Sequence, residues 1–231
     1  MIIGLAGFAG SGKSTAAQYF IDHHGFRRLS FAAAVKDTAA AIFGWDRAKL
    51  EGATDADRTW REQPDPFWSV AMKQPWTPRY ALQYVGTDLC RNHVLDTIWI
   101  ERLRNNILLL GPNAKVVIDD VRFVNERDAL RTWGAHLLTI DRPSQYGPAQ
   151  RRLWAQAIER KESLSPVPGP FSPYPEEATL HISEWQWLTD PRVSEDSVIL
   201  NDGTTQHFHD ALSLWYTTTM QRTLHSEEIY A

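Results

Sequence analysis

Residues 7–14 read GFAGSGKS and follow the apolar run MIIGLA. The spacing G-x-x-x-x-G-K-S is that of the P-loop, in which glycines let successive backbone N–H groups turn towards phosphate oxygens. Such a loop needs a buried strand before it and a helix after it. The apolar run predicts the strand, and apolar residues at helical spacing predict a helix over residues 13–24, which Gly25 ends. The sequence therefore predicts an α/β domain whose first strand delivers a phosphate-binding loop.

The residues of this loop have distinct predicted contacts with a nucleoside triphosphate. Lys13 is predicted to reach the β- and γ-phosphates, and the Ser14 hydroxyl is predicted to bind Mg²⁺. The helix that begins near Lys13 adds the positive end of its dipole. The motif predicts bound ATP or GTP, but it leaves the destination of the terminal phosphate open. The predicted ATP-binding residues are Gly7, Gly10, Ser11, Gly12, Lys13, Ser14 and Thr15.

Strands and helices alternate along most of the remaining sequence. The apolar run AKVVIDD at residues 114–120 is typical of a central, buried strand. The alternation predicts a single α/β domain in which helices cover both faces of a parallel sheet. The predicted strands are residues 1–6, 28–31, 114–120, 136–141 and 197–200, and the predicted helices are residues 13–24, a segment that ends at 43, and residues 79–90, 97–110, 123–132 and 206–216.

Two segments interrupt this alternation. Residues 44–78 are rich in Asp, Arg, Trp and Pro and lack clean periodicity, which predicts an insertion over one face of the domain. Residues 142–180 contain seven of the thirteen prolines and several arginines, which predicts a second insertion. Both insertions carry arginine, the side chain that pairs best with phosphate oxygens.

Composition excludes several classes of protein. The formal net charge of −4 and the pI of about 6.1 argue against a protein whose overall field attracts nucleic acid or anionic lipid. Cys90 is the single cysteine, which excludes an intrachain disulfide and a cysteine-rich metal site and is compatible with a reducing cytoplasm. The sequence shows neither a basic signal-peptide segment nor an apolar run of about 18 residues. We therefore expect a soluble, cytoplasmic protein without a membrane or nucleic-acid partner.

Two carboxylates, Asp119 and Asp120, end the strand predicted at residues 114–120. Carboxyl ends of parallel strands meet at one edge of the sheet, so these side chains are expected beside the P-loop. A carboxylate there can hold Mg²⁺ through water, together with Ser14. The alternative is a structural role, in a turn at the strand end or as a cap for the helix that begins near Phe123.

The segment TPRYALQYVGTDLCR, residues 77–91, places Arg79 and Arg91 on either side of a predicted helix and a Gly-Thr turn. Thr77 is a suitable helix N-cap and Pro78 a suitable first helical residue. A guanidinium can bind a phosphate with two parallel hydrogen bonds. Two arginines at this spacing are also common on a solvated surface, so composition alone does not decide between these interpretations.

A set of motifs in one order resembles the phage-type deoxynucleoside monophosphate kinases. The segments are the P-loop, FAAAVK at residues 31–36, DVRFVNE at 120–126, HISE at 181–184 and NDGT at 201–204. Together they span most of the chain, and as an ordered set they are more specific than any single motif. The remaining motif is R-x-x-L-Q-x-x-G-T-x-x-x-R, which occurs here as Arg79, Leu82, Gln83, Gly86, Thr87 and Arg91, followed by Trp99.

The resemblance implies an adenylate-kinase-like P-loop kinase that moves the γ-phosphate of ATP, with Mg²⁺, onto a deoxynucleoside 5′-monophosphate. The two insertions, at about residues 44–78 and 142–180, are suited to acceptor-side and lid roles, and the resemblance implies a homodimer. The insertions near Trp60–Trp76 and Val167–Pro175 depart from the family pattern and leave the identity of the accepted base open. The acceptor-binding residues that the resemblance implies are Lys36, Arg79, Gln83, Gly86, Thr87, Arg91 and Trp99.

Arginines outside the acceptor segment are candidates for contacts with the transferred phosphoryl group. Arg122 in DVRFVNE either reaches substrate phosphate or pairs with Glu126 or Asp120, and both interpretations stay open. An arginine-bearing lid would neutralise charge in the transition state and exclude water. The lid candidates are Arg142, Arg151, Arg152 and Arg160, and the predicted catalytic residues are Lys13, Arg122, Arg151 and Arg152.

Other functions are compatible with a P-loop and remain alternatives. One is a kinase with another acceptor, such as dephospho-coenzyme A or a hydroxymethylated base in DNA. Another is a nucleotide-dependent switch or binding protein with little turnover. His181, Ser183 and Glu184 lack a partner visible in the sequence and are interpreted as a helix start.

Overall fold

The computed structural model describes residues 1–148, 150–152, 155 and 185–230 of the 231-residue chain. These residues form two compact units. The sheet unit comprises Met1–Arg28 and Asn113–Ala231, and the helical unit comprises Leu29–Pro112. The insertion predicted at residues 44–78 lies within the helical unit.

A five-stranded sheet organises the sheet unit. The strand order is β2-β3-β1-β4-β5, and β1 pairs in parallel with both β3 and β4. The β4–β5 pair is also parallel. The first strand therefore lies at the centre, and the segment predicted as the central strand lies one position away. The strands are β1 (Ile2–Ala6), β2 (Arg27–Leu29), β3 (Val116–Ile118), β4 (His136–Asp141) and β5 (Ser197–Leu200).

Helices cover both faces of this sheet, which confirms the predicted three-layer α/β/α fold. On one face, α1 (Lys13–His24) and α10 (Thr205–Tyr230) pack against buried residues of β1, β3, β4 and β5. On the other face lies α9 (Val124–Thr132). Gly4 in β1 allows a close approach here, because an added Cβ would lie only 2.8 Å from Leu130 Cδ1 of α9. The layers thus rest on apolar contacts and on one small residue in the central strand.

The helical unit contains seven short or medium helices and one π-helical turn among its described residues. Its segment at residues 44–78, which lacked clean periodicity, forms three helices. Each has a side-chain cap: Asp46 accepts from Ala48 N at 2.8 Å, Thr54 from Asp57 N at 3.1 Å and Asp65 from Trp68 N at 2.9 Å. The helices are α2 (Ala32–Phe43), α3 (Arg47–Glu51), α4 (Asp55–Glu62), α5 (Pro66–Ala71), α6 (Pro78–Gln83), α7 (Cys90–His93) and α8 (Ile98–Leu109).

Aromatic side chains form much of the core of the helical unit. Phe43 stacks on Trp45 with ring centroids 4.6 Å apart and meets Trp68 edge-on at 5.1 Å. Trp76 is 3% exposed and closes the cluster. Two indole groups are hydrogen-bonded: Trp45 Nε1 donates to Asp65 Oδ2 at 2.9 Å, and Trp68 Nε1 donates to the Phe43 carbonyl at 3.0 Å. The tryptophan-rich insertion therefore folds by burying aromatic rings, and Trp45 and Trp68 also satisfy their N–H groups.

Several predicted elements differ from the structure, and the strand predicted over residues 114–120 covers only Val116–Ile118. The second strand covers Arg27–Leu29 instead of residues 28–31. The helix predicted over residues 79–90 is interrupted by a π-helical turn at Tyr84–Leu89, so the predicted Gly-Thr turn lies within continuous helical backbone. The last helix runs far beyond residue 216, to Tyr230. Within the described ranges, no helix has both the length and the apolar character that a membrane crossing requires.

Candidate active site

The P-loop lies at the carboxyl end of the central strand and leads into α1, as the sequence predicts. Gly7, Gly10 and Gly12 have φ angles of 139°, 79° and 105°, which side chains with a Cβ rarely adopt. A Cβ on Gly7 would also collide with the carbonyl oxygen of Ile140. The three glycines are therefore required by the path of the backbone, and this path is what allows a loop to enclose phosphate groups.

Lys13 lies at the first turn of α1 and folds over the loop. Its Nζ donates hydrogen bonds of 2.8 Å to the carbonyl oxygens of Gly7 and Phe8. These contacts hold the ammonium group at the mouth of the loop. A cation fixed there can neutralise charge on the phosphates of a bound nucleotide.

The Ser14 hydroxyl and the Asp119 carboxylate meet beside the P-loop. Ser14 Oγ donates to Asp119 Oδ2 at 3.0 Å, and Asp119 is 6% exposed. Oxygen donors of this kind suit Mg²⁺, which binds one or two protein oxygens and keeps several waters. Of the two carboxylates predicted for this position, Asp119 is the one that contacts Ser14, and Asp120 follows it, partly buried, in the loop after β3.

An arginine that sequence analysis missed shares this carboxylate. Arg28 of β2 binds Asp119 through both Nε, 2.9 Å from Oδ1, and Nη2, 2.5 Å from Oδ2. Its Nη2 also lies 3.4 Å from Ser14 Oγ. In this structure the guanidinium supplies the positive charge beside Asp119. No local pattern could have revealed the pair, because 91 residues separate its members.

The segment DVRFVNE forms the entry to α9. The Glu126 carboxylate is 1% exposed, and its Oε2 accepts hydrogen bonds from the backbone N–H groups of Arg122 at 2.8 Å and Phe123 at 3.1 Å. Glu126 therefore caps the helix and fixes the loop that carries Arg122. The predicted contact of Arg122 with substrate phosphate stays a prediction.

The NDG turn after β5 supports the P-loop from outside. Asn201 Nδ2 donates to the Ser11 carbonyl at 2.8 Å, and Asn201 N donates to the Asp141 carbonyl at 2.7 Å. A Cβ on Gly12 would collide with the Asn201 amide. Asp141 ends β4 and is 5% exposed, and burial raises the pKa of its carboxyl group. The motif that contributed to the family resemblance thus has a physical role as a brace for the phosphate-binding loop.

Phe8, the second residue of the loop, anchors it in the core. Its ring is fully buried and meets Tyr146 and Trp187 edge-on, with centroids 4.7 and 5.6 Å apart. Trp187 belongs to a 3₁₀ turn at Gln186–Thr189. The loop is therefore held by one side chain near the start of the second predicted insertion, Tyr146, and by one after its end, Trp187.

A network of buried charges joins α9 to the segment that follows this insertion. Arg127 is fully buried; its Nε donates to Asp190 Oδ2 at 2.8 Å and its Nη2 pairs with Asp196. Arg131 reaches the same carboxylates at 2.5 and 3.0 Å. Burial alone would raise the pKa of Asp190, but the hydrogen bonds from Arg127 and Arg131 lower it to about 2. Asp190 is thus kept ionised, and the two carboxylates together fix residues 190–196 on α9.

Most of the predicted lid lies outside the described residues. Arg160, Val167–Pro175 and the trio His181, Ser183 and Glu184 all fall there. Arg151 and Arg152 are described and helical, with Arg151 exposed. Arg142 lies directly after β4, where its backbone N–H donates to the Tyr146 hydroxyl at 3.1 Å. The roles predicted for these arginines stay predictions.

In the helical unit, the cationic residues predicted to bind the acceptor are paired or buried. Lys36 of α2 lies 2.5 Å from Glu51 of α3. Arg79 of α6 pairs with Glu62 of α4. Arg91 of α7 is 9% exposed, so it lies in the core of the unit and not on a solvated surface. The interpretation of these arginines as ordinary surface residues is therefore wrong for Arg91.

Gly86, Thr87 and Trp99 meet at the π-helical turn, while Gln83 lies partly buried at the end of α6. The Trp99 indole is 6% exposed and donates from Nε1 to the Gly86 carbonyl at 2.8 Å. A Cβ on Gly86 would lie 3.2 Å from Val35 Cγ1, so the turn packs closely on α2. Trp99 thus holds the backbone of the turn, and its predicted contact with a nucleotide stays a prediction.

Comparison with known proteins adds two similar sequences. Residues 62–151 match the family model described as Deoxynucleotide monophosphate kinase. The chain is 39% identical over 154 residues to the Putative deoxynucleotide monophosphate kinase of Acanthamoeba polyphaga mimivirus. The aligned region covers 62% of this chain and 75% of that relative. It is 28% identical over 220 residues to the Deoxynucleoside-5′-monophosphate kinase of Escherichia phage T5. The aligned region covers 72% of this chain and 86% of that relative.

Solved structures of similar architecture are more distant. Dephospho-CoA kinase from Campylobacter jejuni is 13% identical, with a TM-score of 0.45 over 96% of this chain and 98% of that chain. TT1252 from Thermus thermophilus is 19% identical, with a TM-score of 0.46 over 94% of this chain and 97% of that chain.

Proposed function

The chain belongs to the deoxynucleotide monophosphate kinase family, and we propose that it transfers the γ-phosphate of ATP to a deoxynucleoside 5′-monophosphate, giving the diphosphate. The relative that is 39% identical and aligned over 75% of its length carries the family assignment. The protein is therefore a phosphotransferase with a nucleotide as phosphoryl donor. Dephospho-coenzyme A, a hydroxymethylated base in DNA and a switch without turnover are not favoured as alternatives.

The observation that best supports ATP as the donor is the arrangement around Ser14. The P-loop backbone would hold the phosphates, and Ser14 Oγ and Asp119, 3.0 Å apart, would hold Mg²⁺ directly and through water. Bound there, Mg²⁺ would supply positive charge to the β- and γ-phosphate oxygens. Lys13 would add a second fixed charge beside them.

The proposed reaction needs no general base. An oxygen of the acceptor monophosphate is already anionic at neutral pH, so it can attack the γ-phosphorus directly. The bond from that phosphorus to the β–γ bridging oxygen breaks, and ADP leaves with the electron pair. Catalysis of this kind rests on positioning and on neutralisation of charge. Lys13 in the sheet unit is suited to neutralising charge, and further candidates for this role are Arg122, Arg151 and Arg152.

We propose that the helical unit binds the acceptor nucleotide. Lys36, Arg79 and Arg91 are its candidate phosphate ligands, and they bind phosphate best where competing water is excluded. Gln83, Gly86, Thr87 and Trp99 surround or hold the π-helical turn, where a sugar or base contact would form. Wide helical turns of this type frequently occur at functional sites. The family resemblance also supports a homodimer and a cytoplasmic location for the enzyme.

A screen of monophosphates for ATP consumption tests this proposal. The matched set is dGMP, dTMP, dCMP and dAMP with the corresponding ribonucleotides, alongside ATP alone. We expect acceptor-dependent ADP formation and a higher kcat/KM for deoxynucleotides, since burying an unpaired 2′-hydroxyl costs about 1–3 kcal/mol. Equal rates for ribose and deoxyribose would remove the deoxynucleotide preference, and hydrolysis without acceptor at the same rate would remove the kinase assignment.

A further inference from the structure

The guanidinium of Arg61 on α4 contacts none of the described carboxylates directly, although Glu62 and Glu51 lie near enough to raise its pKa. Within the described ranges it forms no ion pair, whereas the neighbouring residues Arg58 and Glu62 both do. Its Nη1 donates a long hydrogen bond of 3.3 Å to the Leu50 carbonyl, and its Nε is buried without a hydrogen-bond partner in the same ranges. An incompletely satisfied guanidinium is costly, since charged groups out of water require partners.

The guanidinium is nevertheless held in a defined place. It packs against Gly52, where an added Cβ would collide with the Arg61 guanidinium. Gly52 ends α3 with a φ of 67°, a conformation that favours glycine in any case. The absence of a side chain at residue 52 thus makes room for Arg61. Its guanidinium is held in one position and does not move freely in solvent.

Arg61 lies next to both ion pairs of the predicted acceptor site. Glu62, the next residue on α4, pairs with Arg79. Leu50, whose carbonyl accepts the hydrogen bond from Arg61, is followed by Glu51, which pairs with Lys36 at 2.5 Å. Burial lowers the pKa of Arg61, and the like charge of Arg79 lowers it further. Arg61 therefore lies close enough to Arg79 to be repelled by it, and an anion placed between the two would relieve that repulsion.

We propose that Arg61 binds the 5′-phosphate of the acceptor monophosphate, together with Arg79. This inference rests on the proposed function, because it names a further ligand within the acceptor site of the helical unit. A monophosphate dianion would supply a negative charge in direct contact with Arg61 and would offer oxygens to the N–H groups of its guanidinium. Glu62 and Glu51 then act as counterions that hold Arg79 and Lys36 in place before the acceptor binds.

Calorimetric titration of each of the four deoxynucleoside monophosphates, without ATP, tests the inference. We expect Arg61→Ala to weaken binding of the preferred monophosphate by about ten- to hundredfold, as hydrogen bonds to charged groups contribute. Arg61→Lys should recover only part of the loss, because it keeps the charge but not the forked donor. The control is Arg58→Ala, one turn earlier on α4, where an exposed arginine already pairs with Asp55; it should change binding less than twofold.

A second titration separates phosphate recognition from a structural role. The matching deoxynucleoside, which lacks the phosphate, should bind Arg61→Ala and the wild type equally. If the variant loses deoxynucleoside and ATP binding as well, Arg61 only supports the fold and the inference is wrong. Unchanged monophosphate affinity in Arg61→Ala overturns it too. Failure of the proposed function has a different signature: wild-type protein that binds a monophosphate through Arg61 but produces no acceptor-dependent ADP.

Discussion

The two units hold their predicted phosphate ligands by different means. In the sheet unit the ligands are mainly backbone N–H groups, presented by glycines whose φ angles of 79° to 139° are rarely adopted by residues with a Cβ. In the helical unit they are side-chain cations, held by carboxylates on neighbouring helices. A backbone-built site can be recognised from the spacing of a few adjacent residues. A side-chain-built site depends on the packing of helices that are distant in sequence.

The units share one device despite this difference. Asp119 in the sheet unit is paired with Arg28, and Glu51 and Glu62 in the helical unit are paired with Lys36 and Arg79. In each case a group predicted to bind ligand is already neutralised by a partner of opposite charge. Binding must exchange these pairs for contacts with metal or phosphate, so the strength of each internal pair tunes the affinity of the site.

The largest effect is expected where charges are fully buried, in the sheet unit. Replacing Arg127 with Leu leaves Asp196 with Arg131, and Asp190 with Arg131 and Arg192. Breaking a buried pair costs about 3–5 kcal/mol, so the free energy of unfolding should fall by about 3 kcal/mol. Urea unfolding at pH 7 measures it. The control is Arg104→Ala in the helical unit, whose exposed pair with Glu101 should contribute less than about 1 kcal/mol.

The pH dependence of the free energy of unfolding tests the same buried network. A carboxyl group with a folded-state pKa of about 2 stabilises the fold above its ordinary pKa of 3.8, and this contribution is lost as pH falls towards 2. The wild type should therefore lose stability steeply between pH 4 and pH 2. Arg127→Leu should lose less over that interval, and a slope equal to that of the wild type would contradict the assigned role of the network.

The next effect concerns catalysis by the backbone-built site. Lys13→Ala removes the side-chain charge that the loop carbonyls hold, and loss of such a preorganised contact lowers kcat about 100-fold or more. The melting temperature should change little, because Lys13 is not in the core. Lys73→Ala, an exposed lysine of the helical unit, is the control. Retention of more than about a tenth of kcat would contradict the role of Lys13 in transfer.

Substitutions in the side-chain-built site of the helical unit should weaken binding of the monophosphate and not of ATP. Arg79→Ala and Arg91→Ala should each raise KM for the monophosphate about tenfold while leaving ATP affinity nearly unchanged, since each loses charged hydrogen bonds to one ligand only. Titration with a non-hydrolysable ATP analogue and then with a monophosphate separates the two affinities. Equal losses for both ligands would show that the division of labour between the units is wrong.

The smallest effect is expected at the Arg28–Asp119 pair of the sheet unit, in which only the arginine is exposed. Arg28 competes with a divalent cation for Asp119, but its side chain is 47% exposed, so the pair is weakened by solvent. Arg28→Ala should tighten Mn²⁺ binding to the nucleotide-free protein about two- to fivefold, within the range for such pairs. Electron paramagnetic resonance of free Mn²⁺ measures this, with Arg27→Ala as control. Weaker Mn²⁺ binding in Arg28→Ala would contradict the competition.

Local sequence predicted the parts of the fold whose causes are local. The helix at Lys13–His24 and its stop at Gly25 have the predicted bounds, as do β4 and β5. The three helices of residues 44–78 were missed, although their caps Asp46, Thr54 and Asp65 are recognisable signals. Aromatic burial stabilises them, and it leaves no periodic pattern in such short segments.

The ion pairs could not be predicted in the same way. Arg28 and Asp119 are 91 residues apart, and Arg127 and Asp190 are 63 residues apart. Charged residues are normally found on the surface, so the sequence alone favours a solvated position for Arg127, Arg91 and Arg61. Only the packing of the helices against their neighbours reveals which of these charges is buried.

The π-helical turn at Tyr84–Leu89 also determines direction. Helical backbone runs without a break from Pro78 to His93, with a wider turn in its middle. Such a turn contains one residue more than an α-helix needs, and each residue rotates a helix by about 100°. An α-helix with the same number of residues would therefore turn Arg91 by about a quarter of a circle relative to Arg79, whereas deleting one residue between Tyr84 and Leu89 would leave the two side chains in nearly their present angular relation. The wider turn thus sets the angle between the two arginines.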